Sequence, residues 1–285
     1  MKNNHASNPI CLKEKITILG SGGFIGSHLV EYFNKTGVEY YAPKLLNEKF
    51  FEESLGHVIY AIGVTDFNQR PYDAVEAHVC LLKKILEKKR FDSFLYLSSA
   101  RIYRGLSSTL EDEPIIVQPT KKDNLYNISK LMGESLCFST NNENVRVVRP
   151  SNIVGVNLNS NLFLPSIIRD AIKNKKIKLN STLNSERDYI YIDDVVKILS
   201  PILLEGKYKL YNIAYGKNIK SEELINKLKK ITNCDLELNP CTKEYSFPEI
   251  SIQRIKNEFD FKPTSIIEKF EDIVNEYKTQ LTCRE

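Results

Sequence analysis

Tyr126 and Lys130 stand four residues apart in Tyr126-Asn127-Ile128-Ser129-Lys130, one helical turn, which sets both side chains on the same face of a helix. Such a pair can act as an acid. An ammonium held beside a phenol stabilises the phenolate and lowers a pKa that is otherwise about 10. The spacing alone is weak evidence, because tyrosine and lysine meet this way on many solvated helical faces. Two other segments give it weight. Upstream lies Gly20-Ser21-Gly22-Gly23-Phe24-Ile25-Gly26, and between the two Leu97-Ser98-Ser99-Ala100-Arg101-Ile102-Tyr103 closes an apolar run.

The elements that must position these residues read as alternating strands and helices. Residues 15–19 form a buried strand, the glycines follow at once, and 24–35 carry apolar residues at helical spacing until Gly37 ends them. Residues 38–42 give the next strand, closed by Pro43, and 57–62 another, reached after only a short helical stretch over 50–55. Helices over 75–89 and 125–139 then alternate with strands over 93–97 and 145–148. Beyond Pro150 the pattern loosens into an asparagine-rich loop (157–161), a helix (162–174), short segments, a strand (189–192) and a helix (193–204). The expected fold class is α/β, a Rossmann-type doubly wound parallel sheet with a smaller mixed α/β substrate lobe in the carboxy-terminal half. Residues 1–14 read as an extension and 15–155 as the dinucleotide-binding core. Residues 156–285 are interleaved, with the lobe mainly in 156–188 and 215–255 and the rest returning to the core.

Composition narrows the function classes. The chain has 285 residues, 42% hydrophobic and 27% charged, which suits a globular protein with an ample core. Its net charge of +4, from 40 basic and 36 acidic residues, is too balanced to predict a nucleic-acid or membrane surface. Six cysteines are scattered without a Cys-x-x-Cys pair, and the four histidines all precede residue 79, so neither a zinc site nor a disulfide framework is expected. The polar amino terminus lacks an apolar signal region and no apolar run reaches membrane-spanning length, so the expected location is the cytoplasm.

Glycines directly after a strand and at a helix start let the backbone approach a pyrophosphate, which sits against free helix amides and the positive end of the dipole. Gly20, Gly23 and Gly26 fit that use, and the flanking strand and helix separate it from a merely tight turn. A carboxylate at the end of the second strand would select NAD by binding its ribose 2′-hydroxyl. Here the strand ends Tyr40-Tyr41-Ala42-Pro43-Lys44, with Glu39 too early. No acid repels a 2′-phosphate, and Lys44 can pair with one, so NADP is favoured over NAD. The plainer reading of Lys44 is a solvated loop lysine.

Taken in order, the glycine turn, Ser98 to Tyr103, Tyr126-x-x-x-Lys130, Arg149-Pro150-Ser151-Asn152-Ile153-Val154-Gly155 and Arg187-Asp188-Tyr189-Ile190-Tyr191-Ile192-Asp193-Asp194 resemble an extended short-chain dehydrogenase/reductase of the nucleotide-sugar epimerase/dehydratase type. The resemblance covers about residues 15 to 280. It implies that Tyr126 is the general acid/base, that Lys130 binds the nicotinamide ribose and depresses the tyrosine pKa, and that Ser99 hydrogen-bonds the reacting oxygen. The expected cofactor contacts are Gly20, Gly23, Phe24, Ile25, Gly26, Lys44, Ala61, Ile62 and Gly63, together with Tyr126 and Lys130. Ser99, Ala100, Arg101, Asn152 and Arg187 are expected at the substrate, Arg187 on the diphosphate of an activated sugar unless it simply pairs with Asp188. Members of the family often supply a second arginine before the final helices; this chain has Lys243 there, a point charge in place of a guanidinium fork.

Departures from the family pattern narrow the reaction. Dehydratases place an Asp-Glu pair just after the catalytic hydroxyl, where this chain has Ala100 and Arg101. Epimerisation at carbons 3 and 5 uses a cysteine at the place of Ala100 and a downstream histidine, and no histidine follows His78. Two reactions remain: reduction of a 4-keto-6-deoxy sugar nucleotide by NADPH in surface-polysaccharide precursor synthesis, and inversion at carbon 4 with a retained NAD. A catalytically silent dinucleotide-binding or structural protein is the reading from another class, against which stands the intact Ser99, Tyr126 and Lys130 set. The family habit further implies a homodimer, formed by the helices over 75–89 and 125–139.

Overall fold

The computed structural model describes residues 15–44, 50, 54–64, 66–67, 69–88 and 90–283, apart from the Cys241 side chain. The expected amino-terminal extension and half of the expected short helix over 50–55 lie outside these residues. Strand β1 (Ile16–Leu19) is buried throughout, as an apolar run covered on both faces of a parallel sheet must be. Helix α1 (Phe24–Thr36) follows and ends at Gly37, whose φ of +70° is the left-handed turn that glycine adopts freely. Strand β2 (Tyr40–Tyr41) is shorter than the expected 38–42. The Val38 amide is used to close α1, bonding Phe33 O at 3.1 Å, and Pro43 has no amide to offer a ladder.

Strand β3 (His57–Tyr60) leads to α2 (Pro71–Val75), a π-helical turn over Glu76–Cys80, and α3 (Leu81–Lys88). The helix expected to begin at 75 therefore starts a turn earlier, with Pro71 at its first position. Strand β4 (Ser93–Leu97), α4 (Asn124–Phe138) and β5 (Val145–Pro150) complete the first half. The sheet runs β2-β1-β3-β4-β5-β9, where β9 is Leu210–Ile213, and all its pairs are parallel. Alternate residues of each strand serve opposite layers. Ile16, Ile18, Ile59 and Leu95 pack with Leu29 and Phe33 of α1 and with Val195 and Leu199 of α6 (Ile192–Glu205). Val58, Tyr60, Phe94 and Tyr96 pack with Leu82 and Ile85 of α3 and Cys137 of α4.

A smaller lobe surrounds a second apolar cluster. Strands β6 (Asn152–Val154), β8 (Glu186–Tyr191) and β10 (Asn218–Lys220) form a sheet in the order β10-β8-β6, while β7 (Lys176–Ser181) pairs with β11 (Asp235–Lys243). Helices α5 (Phe163–Lys173), α7 (Ser221–Thr232) and α9 (Ile266–Thr282) fill it with Ile168, Leu224, Phe270 and Tyr277. The segment expected to return to the core thus splits. Ile255 of α8 (Gln253–Phe259) joins the sheet's cluster, and α9 joins the lobe's.

Candidate active site

The strand order reverses between β1 and β3, and in open α/β sheets the crevice at such a switch point is where ligands bind. Gly20 ends β1 there with φ +94°, and a Cβ on it would lie 2.8 Å from the backbone of Ala61 and Ile62 at the exit of β3. A Cβ on Gly26 would collide with Gly20 O. These two glycines therefore draw α1 and β3 tightly onto the turn, while Gly23 closes it through its amide to Gly20 O at 3.0 Å. Gly22 faces open space, and no side chain caps the first amides of α1. That combination of close-packed glycines, free amides and an open side fits a dinucleotide diphosphate. Phe24, Ile25, Ala61 and Ile62 are half-buried and Gly63 is exposed at the crevice rim, and Lys44 is exposed at the bend after β2.

Ser99 leaves β4 in extended conformation and caps a short 3-10 turn, Ala100–Tyr103, accepting a hydrogen bond from the Arg101 amide at 3.2 Å. Its hydroxyl faces the Tyr126 phenol, across from it on α4, and favours the ionised phenol. Ser99 and Tyr126, expected at one reacting oxygen, thus lie on the same side of the crevice. The Phe67 ring lies 4.3 Å from the Tyr126 ring, centroid to centroid, and the Arg101 guanidinium stands 4.8 Å from Phe67 and 5.8 Å from Tyr126.

Burial pushes the Tyr126 phenol above its ordinary value, and only the Ser99 hydrogen bond and the Arg101 charge oppose it. Lys130 is buried too, which lowers its pKa to about 7, with Glu134 partly offsetting the effect. Burial thus works against charge on both members of the α4 pair. Its Nζ donates to Leu97 O at 2.8 Å.

His78 completes this group, and sequence reasoning had no place for it. The π-helical turn points it inward, fully buried, edge-on to Tyr126 at 5.4 Å. Ser129 Oγ donates its single proton to Tyr126 O at 2.9 Å and also lies 2.9 Å from His78 Nδ1. Nδ1 must then be the donor, leaving Nε2 a bare acceptor. That nitrogen has no partner among the described residues and borders the same space at Gly63 as Lys130 Nζ. Burial holds the histidine pKa down at about 3, and the nearby Lys130 adds to this, so the ring stays neutral.

In the lobe, Asn152 donates to Asp188 O at 2.8 Å, next to Arg187 on β8. Asp188 is not the partner of Arg187. It accepts from Ser151 Oγ at 2.5 Å, Tyr215 N at 3.0 Å and Gly216 N at 2.6 Å, an anchor between β5, β8 and the β9 exit. The Arg187 guanidinium instead lies over Phe163 at 4.9 Å and Tyr245 at 5.4 Å, and its Nη1 has no partner among the described residues. Arg104 approaches the same Tyr245 ring at 5.2 Å. A second arginine therefore does stand near Arg187, coming from the turn after Ser99 and not from the position of Lys243, which is exposed at the end of β11. Sequence spacing gave no reason to link residues 104 and 187; only the placement of Tyr245 does.

Residues 16–214 match the family model described as "NAD dependent epimerase/dehydratase family". The chain is 25% identical over 273 residues to dTDP-D-glucose 4,6-dehydratase of Dictyostelium discoideum, a match covering 77% of this chain and 62% of that protein. It is 21% identical over 316 residues to dTDP-4-dehydro-6-deoxy-D-allose reductase of a Streptomyces species, covering 92% and 96%. Among solved structures, that of RMD from Pseudomonas aeruginosa complexed with NADPH superposes with a TM-score of 0.78 at 20% identity, covering 94% of this chain and 99% of that one. The structural likeness supports the doubly wound fold with its lobe.

Proposed function

The chain belongs to the NAD dependent epimerase/dehydratase family, and from that premise we propose that it reduces a nucleotide-activated 4-keto-6-deoxy sugar with NADPH, in the making of surface-polysaccharide precursors. The observation that carries this reading is the meeting of the Ser99 hydroxyl and the Tyr126 phenol at the carboxy end of β4, beside a glycine turn shaped for a dinucleotide. The bound cofactor would supply hydride to the keto carbon. As negative charge develops on the attached oxygen, Tyr126 donates its proton to that oxygen and Ser99 holds the oxygen by its hydroxyl. A positioned donor of this kind contributes roughly 10²–10⁴-fold in rate. Lys130 and the bare Nε2 of His78 are set to receive the hydroxyl groups of the nicotinamide ribose.

Elimination of water would need an additional acid and base next to Ser99. Ala100 is apolar and buried, and Arg101 is a cation that cannot serve as either near neutral pH. Asn152, Arg187 and Arg104 bind the nucleotide diphosphate, with Lys243 a more distant positive charge at the lobe edge. Lys44 and the lack of a carboxylate at the end of β2 favour the 2′-phosphate of NADP. A homodimer is proposed through α4 and the helices α2 and α3, where Leu125 and Met132 lie exposed two turns apart on one face. No helix among the described residues is long and apolar enough to cross a membrane, and a cytoplasmic location suits a consumer of NADPH.

The test is direct. Purified protein offered a 4-keto-6-deoxy nucleotide sugar should oxidise NADPH in proportion to product formed. Tightly retained NAD with sugar inversion and no net NADPH consumption would replace this reading by 4-epimerisation.

A further inference from the structure

The π-helical turn over Glu76–Cys80 is an irregularity that the fold supports from three sides, and such turns recur at functional sites. Two strand tyrosines bond its carbonyls: Tyr60 OH, on β3, donates to Ala77 O at 2.5 Å, and Tyr96 OH, on β4, donates to His78 O at 3.5 Å. Helix α4 closes on the turn at Gly133, where a Cβ would lie only 2.8 Å from His78 O. All of this fixes one fully buried imidazole.

The bonds around that ring have settled directions. Ser129 Oγ spends its proton on Tyr126 O and can only accept from His78 Nδ1, which leaves Nε2 a buried acceptor without a partner among the described residues. Across the same space stands Lys130 Nζ. An atom placed as a Cβ on Gly63 would lie 3.5 Å from Nε2 and 3.8 Å from Nζ, so the glycine leaves room there for a ligand. Nζ uses one donor on Leu97 O and keeps others whether or not it carries charge. The space is therefore bounded by an acceptor and by a donor. A phosphate oxygen would suit the lysine but would face the bare lone pair of Nε2. A hydroxyl serves both with a single oxygen.

We infer that His78 is a cofactor-binding residue whose Nε2 accepts the proton of a nicotinamide-ribose hydroxyl that Lys130 meets from the other side, and that Ser129 is the positioning residue that fixes the ring's tautomer. This rests on the dinucleotide reading above and deepens it. The bonds then run one way, from Lys130 Nζ to the hydroxyl and on to Nε2, and from Nδ1 to Ser129 Oγ and on to Tyr126 O. The cofactor is thereby tied to the backbone that carries the proposed acid.

Histidine labelled with nitrogen-15 reports both ring nitrogens, and the His78 pair is assigned by its loss in His78→Gln. The free protein should show a protonated Nδ1 and a bare Nε2. Saturation with NADP, or with NAD if that binds more tightly, should move Nε2 toward the range of a hydrogen-bonded acceptor while Nδ1 stays in place. The acetylpyridine analogue of the same dinucleotide, which has no carboxamide N–H, should move it equally. Ser129→Ala should release the tautomer, so that part of the free population carries its proton on Nε2. In fluorescence titrations His78→Leu should weaken dinucleotide binding about tenfold, and His78→Gln, which keeps an acceptor, should weaken it less. Gly63→Ala fills the space without a clash and should weaken binding as well. A protonated Nε2 in the free parent protein overturns the inference, as does an Nε2 that stays put at saturation or moves only for the carboxamide-bearing cofactor. Unchanged affinity in His78→Leu overturns it too, and should that variant fail to fold, the spectra of the parent decide. Binding with an unmoved Nε2 defeats this inference alone, whereas failure of both NADP and NAD to bind defeats the functional reading with it.

Discussion

Two buried polar clusters meet on α4, one turn apart, and they are finished to different degrees. In the first, Arg149 spends every nitrogen: Nε and Nη2 bond the two oxygens of Glu134 at 3.0 and 2.6 Å, and Nη1 bonds Tyr103 OH at 2.6 Å. Glu134 also takes Ser98 Oγ at 2.5 Å, and Tyr103 passes its proton to Asn212 at 2.9 Å, joining β4, α4, β5 and β9. In the second cluster, around Tyr126, the Nε of Arg101 and the Nε2 of His78 have no partner among the described residues, and Lys130 is held near neutrality. The first cluster is buried throughout and saturated, while Ser99, Arg101 and Tyr126 of the second are half-buried and the cluster is left open. A saturated network joins strands and leaves nothing for a ligand, whereas open donors and acceptors in a crevice at a sheet's switch point are held ready for one.

That contrast implies opposite responses to substitution. The largest effect should be on turnover: Tyr126→Phe should lower kcat by roughly 10²–10⁴-fold while cofactor affinity and melting temperature stay close to the parent's, as steady-state kinetics, fluorescence titration and thermal unfolding would report. Unchanged turnover would remove the acid from the second cluster. Next, Arg149→Met should destabilise the fold by about 3–5 kcal/mol, the usual result of leaving one partner of a buried pair without the other. Urea unfolding measures this, and Arg149→Met combined with Glu134→Leu should recover much of the loss. Equal stability of the single variant and the parent would mean that the first cluster does not hold the strands.

The smallest effect has the opposite sign. Burial lowers the pKa of Lys130 to about 7 in the folded protein, against 10.5 for the unfolded chain. Between those values the unfolded chain binds more protons, so stability rises with pH across that window, and below about 7 the full cost of burying the ammonium is present. Lys130→Met should therefore stabilise the protein, on the order of 2 kcal/mol below pH 7 and fading towards pH 10, while cofactor binding weakens. A variant less stable than the parent at pH 6 in urea unfolding would place Lys130 with the structural cluster.

Much of this site was legible in the chain. Gly20, Gly23 and Gly26 follow a β-branched run and precede an amphipathic helix, and the segments that hold Ser99 and the Tyr126–Lys130 pair are each local in sequence. Other features were hidden because they depend on distant partners. The sequence shows His78 inside a helical pattern, but only the π-helical turn aims it inward, and only Ser129 settles which of its nitrogens carries the proton. Arg104 and Arg187 share Tyr245 although 83 residues separate the two arginines. The ion pair considered between Arg187 and Asp188 does not form, since adjacent residues on a strand point to opposite faces and Asp188 is taken up by the Tyr215 and Gly216 amides.

By itself the sequence determined the order of strands and helices, the turn that suits a diphosphate, and the side chains proposed for acid chemistry, because hydrophobic period and short motif spacing are properties of neighbouring residues. Which groups meet across the crevice was decided by the tertiary structure alone. Spacing along a helix carries no record of what another element brings to it; the π-helical turn sets His78 edge-on to Tyr126, with its bare Nε2 and Lys130 Nζ bordering the same space at Gly63.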